Sequence, residues 1–515
     1  MVTKNSDGPA ASISSMTATT TAPATTPEGT SFPAIGAHLA ALAAQDPDAP
    51  AVTCGDETVT RGELDRRSNR LARAYLAKGV TQDSLVTIGL PNGVEFLAAA
   101  IAVWKCGATP QPISARLPRR EREAIIALAQ PSLVVGVDPA EVSGVPVVAA
   151  GFDPDEDDSP LPPLAASCWK APTSGGSTGT PKLIVSTQGA TIDSVEPFAR
   201  LLGMVDNGRS LIPGPLYHNA PFLLSSATLV LGGHVVLMKK FDVTECLALA
   251  ARHDVDWIYF VPTMMQRISR LPAEDKQHFP PPSLRVVMHM AAPCPVWLKR
   301  EWIDWLGAER VWELFGATEV QSVTLFTGTE WLERPGTVGR PVIGEMKVLD
   351  ADGNELPPGE VGEVWMRRGE GEATPYRYIG AEAKALESGW ESVGDMGSLD
   401  ADGYLFLADR KSDMLLVGGA NVYPAEIESA LTEHPAVRAA VVIGLPHEDL
   451  GQVPHALIEL EHDVTDDDLA VHLAERLVSY KVPRTFERST EPLRDDAGKV
   501  RRALLVADRV AGSDA

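Results

Sequence analysis

Short, unbroken apolar runs recur through the first two thirds of the chain and set its architecture. VTIGL (86–90), LVVGV (133–137) and VPVVAA (145–150) form one series. SLIPG (210–214), HVVLM (234–238), VDWIYFVP (255–262), LRVVMHM (284–290) and RVWELFG (310–316) form another. None alternates between apolar and polar residues, so each reads as a strand covered on both faces. Between them lie longer segments with a broad apolar helical face: IGAHLAALAAQDP from Ile35, PNGVEFLAAAIAVWKCGA (91–108), and stretches near 220–232 and 243–253. This alternation predicts parallel sheets with helices packed on them, and its spacing is compatible with two similar α/β halves.

The texture changes after about residue 340, where MKVLDADGNELPPGEVGEVWMRR mixes short strands with ADG and LPPG turns. That stretch reads as a mostly antiparallel β unit. From 413 to about 508, PAEIESALTEH, AAVVIGL, HALIEL and DDDLAVHLAERL carry enough strand and helix signal for a small α+β domain. At the other end, residues 1 to about 30 are mostly Ser, Thr, Ala, Pro and Gly and read as a disordered tail. The acidic, Pro-rich DPDEDDSPLPP (153–163) reads as a surface loop.

Charge and cysteine content narrow the function. The chain has 45 Lys+Arg against 69 Asp+Glu, a net charge of −24. Such a balance argues against nucleic acid and against docking on an anionic membrane. It leaves room for a phosphorylated substrate, which backbone N–H groups and a few local cations can hold. The five cysteines are scattered and contain no CxxC pair, so reduced thiols in a cytoplasmic protein are expected. No apolar run reaches the roughly 18–20 residues needed to span a bilayer, and the first residues lack the features of a secretory signal.

The most informative stretch is Thr173-Ser174-Gly175-Gly176-Ser177-Thr178-Gly179-Thr180-Pro181-Lys182. Three glycines let backbone N–H groups turn toward an anion, hydroxyls add donors, and Lys182 adds charge. It fits neither the Walker spacing nor GxGxxG. By composition alone it is equally a flexible surface loop.

Its company decides between these. The loop resembles the phosphate-binding motif of the adenylate-forming superfamily, which contains acyl-CoA synthetases, nonribosomal adenylation domains and beetle luciferases. Further matches follow in the family's order: Phe315-Gly316-Ala317-Thr318-Glu319; Asp395 in Ser392-Val393-Gly394-Asp395; Asp409-Arg410-Lys411-Ser412-Asp413; Gly418-Gly419-Ala420-Asn421; and Gly498-Lys499-Val500. The resemblance implies a large N-terminal domain (31–411) of two α/β subdomains with parallel sheets plus a β-rich subdomain. A small mobile α+β domain (412–515) follows a hinge near Ser412. It also implies a two-step reaction: a carboxylate and ATP give acyl-AMP, and the thiol of CoA then displaces AMP.

Carried over residue by residue, the family's roles fall as follows. Lys499, Thr318 and His218 form the catalytic set, and Glu319 holds Mg²⁺. Thr173, Ser174, Gly175, Gly176, Ser177, Thr178, Gly179 and Lys182 cradle phosphate. Ala291, Ala292, Pro293, Phe315 and Gly316 flank adenine, and Glu313 accepts from its amino group. Asp395 and Arg410 bind ribose, while Gly418 and Gly419 line the CoA channel. Tyr217, His218, Ala220, Met264 and Ala317 shape the acyl pocket.

The sequence departs from the pattern in three places. The glycine loop has one residue more than usual, Met290 stands where glycine is common, and Ser412 stands at the hinge. The extended loop, together with Tyr217-His218-Asn219-Ala220-Pro221-Phe222, looks most like the bile-acid and terpenoid branch of acyl-CoA ligases. A bulky, mostly apolar, alicyclic acid is therefore expected, with no basic partner for a second substrate charge. Transfer to a carrier protein, catalysis of the thioester half alone, and a non-catalytic ligand-binding role on the same fold stay open. A homodimer is compatible with all of them.

Overall fold

The computed structural model describes residues 32–175, 181–277, 279–495 and 498–513; the tail over 1–30 lies outside the described residues. Two sheets dominate the N-terminal part. Leu85–Ile88, Thr109–Pro112, Leu133–Val135 and Val147–Val148 form a four-stranded parallel sheet. A nine-stranded sheet has a parallel centre of His234–Leu237, Arg209–Ile212, Trp257–Phe260, Val286–His289 and Val311–Gly316. Apart from Thr109–Pro112, these are the runs whose lack of alternation marked them as buried, and the central strands Trp257–Phe260 and Val286–His289 are buried at every position.

The expected parallel sheets are present, with antiparallel strands added at the edges of the larger one. Both ends of the nine-stranded sheet are antiparallel, through Val323–Thr327 and Pro341–Ile343 on one side and Glu57–Thr60 on the other. Strand Pro50–Cys54, from the start of the chain, joins this second sheet beside His234–Leu237. Gly55, at φ +62°, permits the tight turn into Glu57–Thr60. Helix Val94–Lys105 packs against strands of both sheets and is buried at every residue but Glu95. Its AAAIA run keeps the helix slim enough for that position. Lys105, at its last turn, is neutralised by Asp65 Oδ1 at 2.6 Å.

The acidic loop is a surface loop, held by arginines of helix Arg61–Ala77: Arg70 reaches Asp153 at 3.3 Å and Arg73 reaches Asp157 at 3.2 Å. The β unit appears as a six-stranded sheet that includes Glu345–Leu349, Gly362–Arg367, Asp395–Leu399 and Leu405–Arg410. The smaller C-terminal domain is built on the long hairpin of Val437–His447 and Gly451–Leu460. Helices Pro424–Glu433 and Asp466–Ala474 contribute Ile427, Leu431, Leu469 and Leu473 to a core of its own. All five cysteines are free. Among the described residues no helix is long and apolar enough to cross a membrane.

Candidate active site

In open α/β sheets ligands bind beyond the carboxyl ends of the strands. Here Trp257–Phe260, Val286–His289 and Val311–Gly316 run in the same direction, so the segments that leave them gather on one side. Thr263, Met290 to Pro293, and Gly316 to Val320 line a continuous cleft of about 2720 Å³, and Asp495, Gly498 and Lys499 of the C-terminal domain line it too.

Thr173–Gly175 pairs antiparallel with Pro181–Ser186, which brings the two ends of the glycine loop together. Gly176, Ser177, Thr178 and Gly179 lie outside the described residues. Thr173 is fixed by Gln111 Nε2, which donates to its Oγ1 at 2.5 Å. Lys182 reaches Glu319 Oε1 at 3.4 Å and lies 3.9 Å from the Tyr378 ring centroid. The Tyr378 hydroxyl donates to the same Glu319 oxygen. Burial, then the charge of Glu319, pushes the Tyr378 phenol far up, so it stays a donor. The sequence reading missed Tyr378 because it arrives from strand Tyr376–Ile379, which pairs with Pro181–Ser186 from almost 200 residues upstream.

Two residues here hold left-handed backbone without being glycine. Ala291 has φ +77° and Val320 has φ +57°. Such strain collects at functional sites, and a β-branched residue in that region is a marked outlier. Val320 directly follows Glu319, so the turn that aims the carboxylate is itself strained. The left-handed position in the His289–Pro293 segment falls on Ala291 and not on Met290.

Asp395 lies across the cleft, its side chain 13% exposed, paired with Arg410 at 3.2 Å. Burial pushes its carboxyl up, Arg410 opposes this, and Glu319 adds to the rise. Lys499 sits at the mouth of the cleft, surrounded by protein yet still wet. Partial desolvation draws its ammonium down, with Asp495 and Glu319 opposing. A Cβ added at Gly498 would meet Thr263 Oγ1 at 3.3 Å, so the lysine-bearing loop is docked closely on the N-terminal domain. His218 precedes helix Asn219–Val230, and its ring lies tilted by 41° against that of Tyr217, centroids 4.2 Å apart. Its Nε2 is buried without a partner. Burial, and then the charge of Lys499, lowers its pKa to about 3, so the ring is neutral.

Most of the remaining expected residues line the same cleft: Ser174, Tyr217, Ala220, Ala292, Phe315, Ala317 and Thr318. One expectation is corrected. Met264 is 3% exposed and belongs to the hydrophobic core. Met264 and Met265 of helix Pro262–Ser269 both serve packing, while Thr263 and Gln266 face the cleft. Glu313 has its Oε2 taken by Lys299, with His289 Nε2 3.8 Å away. One of its two carboxylate oxygens is thus held by a fully enclosed lysine, while Glu313 itself still lines the cleft. Gly418 and Gly419, expected to line the CoA channel, do not line the cleft in this arrangement of the domains. They form the exposed turn between Leu415–Val417 and Ala420–Val422, at φ +57° and +86°. The structure also supplies a basic residue that the sequence reading lacked: Lys170 lines the cleft beside Asn219.

A single carboxylate suits Mg²⁺, which keeps waters and takes phosphate oxygens as ligands. Glu319 would fit that need, and no cluster of three acidic, His or Cys side chains occurs among the described residues.

The comparisons agree with this geometry. The profile of the AMP-binding enzyme family matches residues 39–376, and that of the AMP-binding enzyme C-terminal domain matches 426–495. A feruloyl-CoA synthase of Amycolatopsis sp is 30% identical over 90% of this chain and 97% of its own. A sulfoacetate–CoA ligase of Cupriavidus necator is 30% identical over 92% and 98%. The structure of o-succinylbenzoate CoA synthetase from Bacillus subtilis, in complex with an acyl-adenylate intermediate, superposes with a TM-score of 0.77 at 27% identity, covering 91% of this chain and 97% of that one. The chain belongs to the AMP-binding enzymes of the adenylate-forming superfamily, as an ATP-dependent, AMP-forming acyl-CoA ligase that uses ATP, Mg²⁺ and CoA.

Proposed function

We propose that the protein joins a bulky, ring-bearing carboxylic acid of terpenoid or steroid type to CoA in two half-reactions that share one cleft. In the first, a carboxylate oxygen attacks the α-phosphorus of ATP and the bond to pyrophosphate breaks. In the second, the CoA thiolate attacks the acyl carbon and AMP leaves. The observation that carries this reading is the convergence of Lys499, Thr318, Glu319, Asp395 and His218 on one cleft from separate parts of the chain.

In this reading Lys499 stabilises the charge shared by the carboxylate and α-phosphate oxygens, a role that needs a cation aimed at a crowded anionic centre. Thr318 donates to the α-phosphate. Asp395 and Arg410 accept and orient the ribose, and the half-buried Phe315 offers a π-face to adenine. Glu319 and Lys182 would hold Mg²⁺ and the phosphates, and the ion supplies charge neutralisation at phosphate oxygens when bound. Neutral His218 orients the acid and takes no proton from it at ordinary pH. The size of the acid is supported by small and apolar wall residues, Ala220, Leu223, Leu224, Met290 and Ala317, and its branch by the lengthened glycine loop.

The test is AMP release from a panel of ring-bearing acids, with CoA present and absent, in wild type and Lys499→Ala. The variant loses adenylation by about 100-fold or more. It keeps thioester formation from a supplied acyl-adenylate, which needs no new phosphate charge. Equal loss of both halves would remove the assignment of Lys499.

A further inference from the structure

Lys170 lies three residues before Thr173, in the run CWKAP that leads into the glycine loop. Its flanking residues Trp169 and Ala171 are buried and apolar, as a strand-like segment entering a core should be. Lys170 itself is only 5% exposed. Its Nζ donates to Asn219 Oδ1 and lies 4.5 Å from the Trp169 ring centroid. It makes no ion pair among the described residues, and burial alone lowers its pKa to about 7. The other enclosed lysines of the chain are treated differently: Lys105 has Asp65 and Lys299 has Glu313. A buried ammonium without a counter-ion is costly and stays in a fold only where something offsets it.

The surroundings point to a ligand. Asn219 opens helix Asn219–Val230, and the residue before it is His218, whose Nε2 is buried without a partner. His218 is also within electrostatic reach of Lys499. Lys499, His218, Asn219 and Lys170 all line the cleft, linked in turn by charge, by adjacency in the chain and by the Lys170–Asn219 hydrogen bond. Ser186 and Gln188 line the cleft as well, and the Ser186 N–H is bonded to the Lys170 carbonyl. Polar groups gathered on the wall of an otherwise apolar pocket fix the orientation of what binds there.

We propose that Lys170 and His218 form a subsite for a second carboxylate on the acid, distinct from the carboxylate that is activated, so that the enzyme selects ring-bearing diacids over the matching monoacids. The missing counter-ion of Lys170 is then supplied by the substrate. The Nε2–H tautomer of His218 donates to the same group or to the chain leading to it. This proposal rests on the acyl-CoA ligase reading and adds the substituent its substrate carries.

The experiment compares pairs of acids with one ring skeleton, with and without the second carboxylate, in the full-length enzyme. Wild type favours the diacid by tenfold or more in kcat/KM for AMP release. Lys170→Met brings that ratio to about one, Lys170→Gln does the same, and KM for ATP moves less than twofold in both. The melting temperature of Lys170→Met is equal to or above that of wild type, because an unpaired buried charge has gone. The diacid-induced shift in melting temperature, measured without ATP, falls in the same variants and reads binding without turnover. A ratio unchanged by Lys170→Met overturns the subsite. So does a lower melting temperature with equal loss on both acids, which makes the lysine structural. A change confined to KM for ATP assigns it to phosphate instead. If wild type releases no AMP with any acid while diacids still shift its melting temperature through Lys170, the ligase reading fails and the subsite stands.

Discussion

At the scale of single residues, Ala291 shows how a site departs from local preference. A left-handed backbone costs a residue with a side chain about 1–2 kcal/mol relative to ordinary conformations. Glycine removes that cost but loses some chain entropy. Ala291→Gly is expected to stabilise the protein by up to about 1 kcal/mol, raising the denaturation midpoint by about 1–2 °C. The same change loosens the adenine-side segment, so KM for ATP rises. Calorimetry and ATP kinetics on one preparation check both, and a lower midpoint would mean the segment is unstrained. The motif residues Thr318, Glu319, Asp395 and Lys499 were readable from the chain because each sits in a short pattern. Lys170, Tyr378 and the Lys299–Glu313 pair were not, because each is defined by a neighbour far away in sequence.

Among the elements, helix Pro424–Glu433 carries a charge network that ties the lysine loop to the hinge region. Glu428 is buried and accepts from Arg494 at 2.6 Å and Arg502 at 2.5 Å, and its Oε1 also accepts from the Val442 N–H at 2.9 Å. Arg494 donates onward to the Gly498 carbonyl at 3.1 Å, beside Lys499. Arg502 also pairs with Asp413 at 2.7 Å, next to Ser412. Burial pushes the Glu428 carboxyl up, but Arg494 and Arg502 outweigh it and hold it below the ordinary value of 4.5. A carboxyl depressed on folding adds stability that is complete above its unfolded pKa and is lost as pH falls through its folded pKa. Glu428→Gln removes the buried charge shared by two half-buried arginines and should destabilise the C-terminal domain by about 1.5–3 kcal/mol near neutral pH. Its deficit against wild type should shrink only below about pH 4.5. Denaturant unfolding across that range measures it. A deficit that is constant with pH would show the carboxylate is not the source.

On the scale of the whole molecule, Lys499 and the Gly418–Gly419 turn belong to one domain, yet only Lys499 meets the cleft here. A Cβ on Gly419 would meet nothing within 4 Å. Both must reach the acyl carboxyl in turn if both half-reactions occur, so a rotation about Ser412, which lines the cleft where the two domains meet, is expected. Proline fixes φ near −65°. Ser412→Pro should leave a folded enzyme that still adenylates and is poor at thioester formation, while Gly419→Leu should keep adenylation and obstruct thiol entry. Full turnover by Ser412→Pro, followed as CoA thioester and as AMP, would move the hinge elsewhere.

The residues alone determined three of the four strands of the first sheet, the parallel centre of the second, several of the helices between them, the small C-terminal domain and the order of the motifs. Those properties follow from local periodicity and from short patterns that nearby residues complete. Tertiary structure decided what needs long-range partners. It sent Pro50–Cys54 across to the second sheet, where only a backbone ladder with His234–Leu237 could place it. It turned Met264 into the core while Thr263, one residue earlier, faced the cleft. It gave Glu313 to Lys299, and it left Lys170 enclosed with no anion of its own. A sequence states which charges a chain carries. Which of them are paired depends on folding, because a counter-ion is chosen by distance in space and not along the chain.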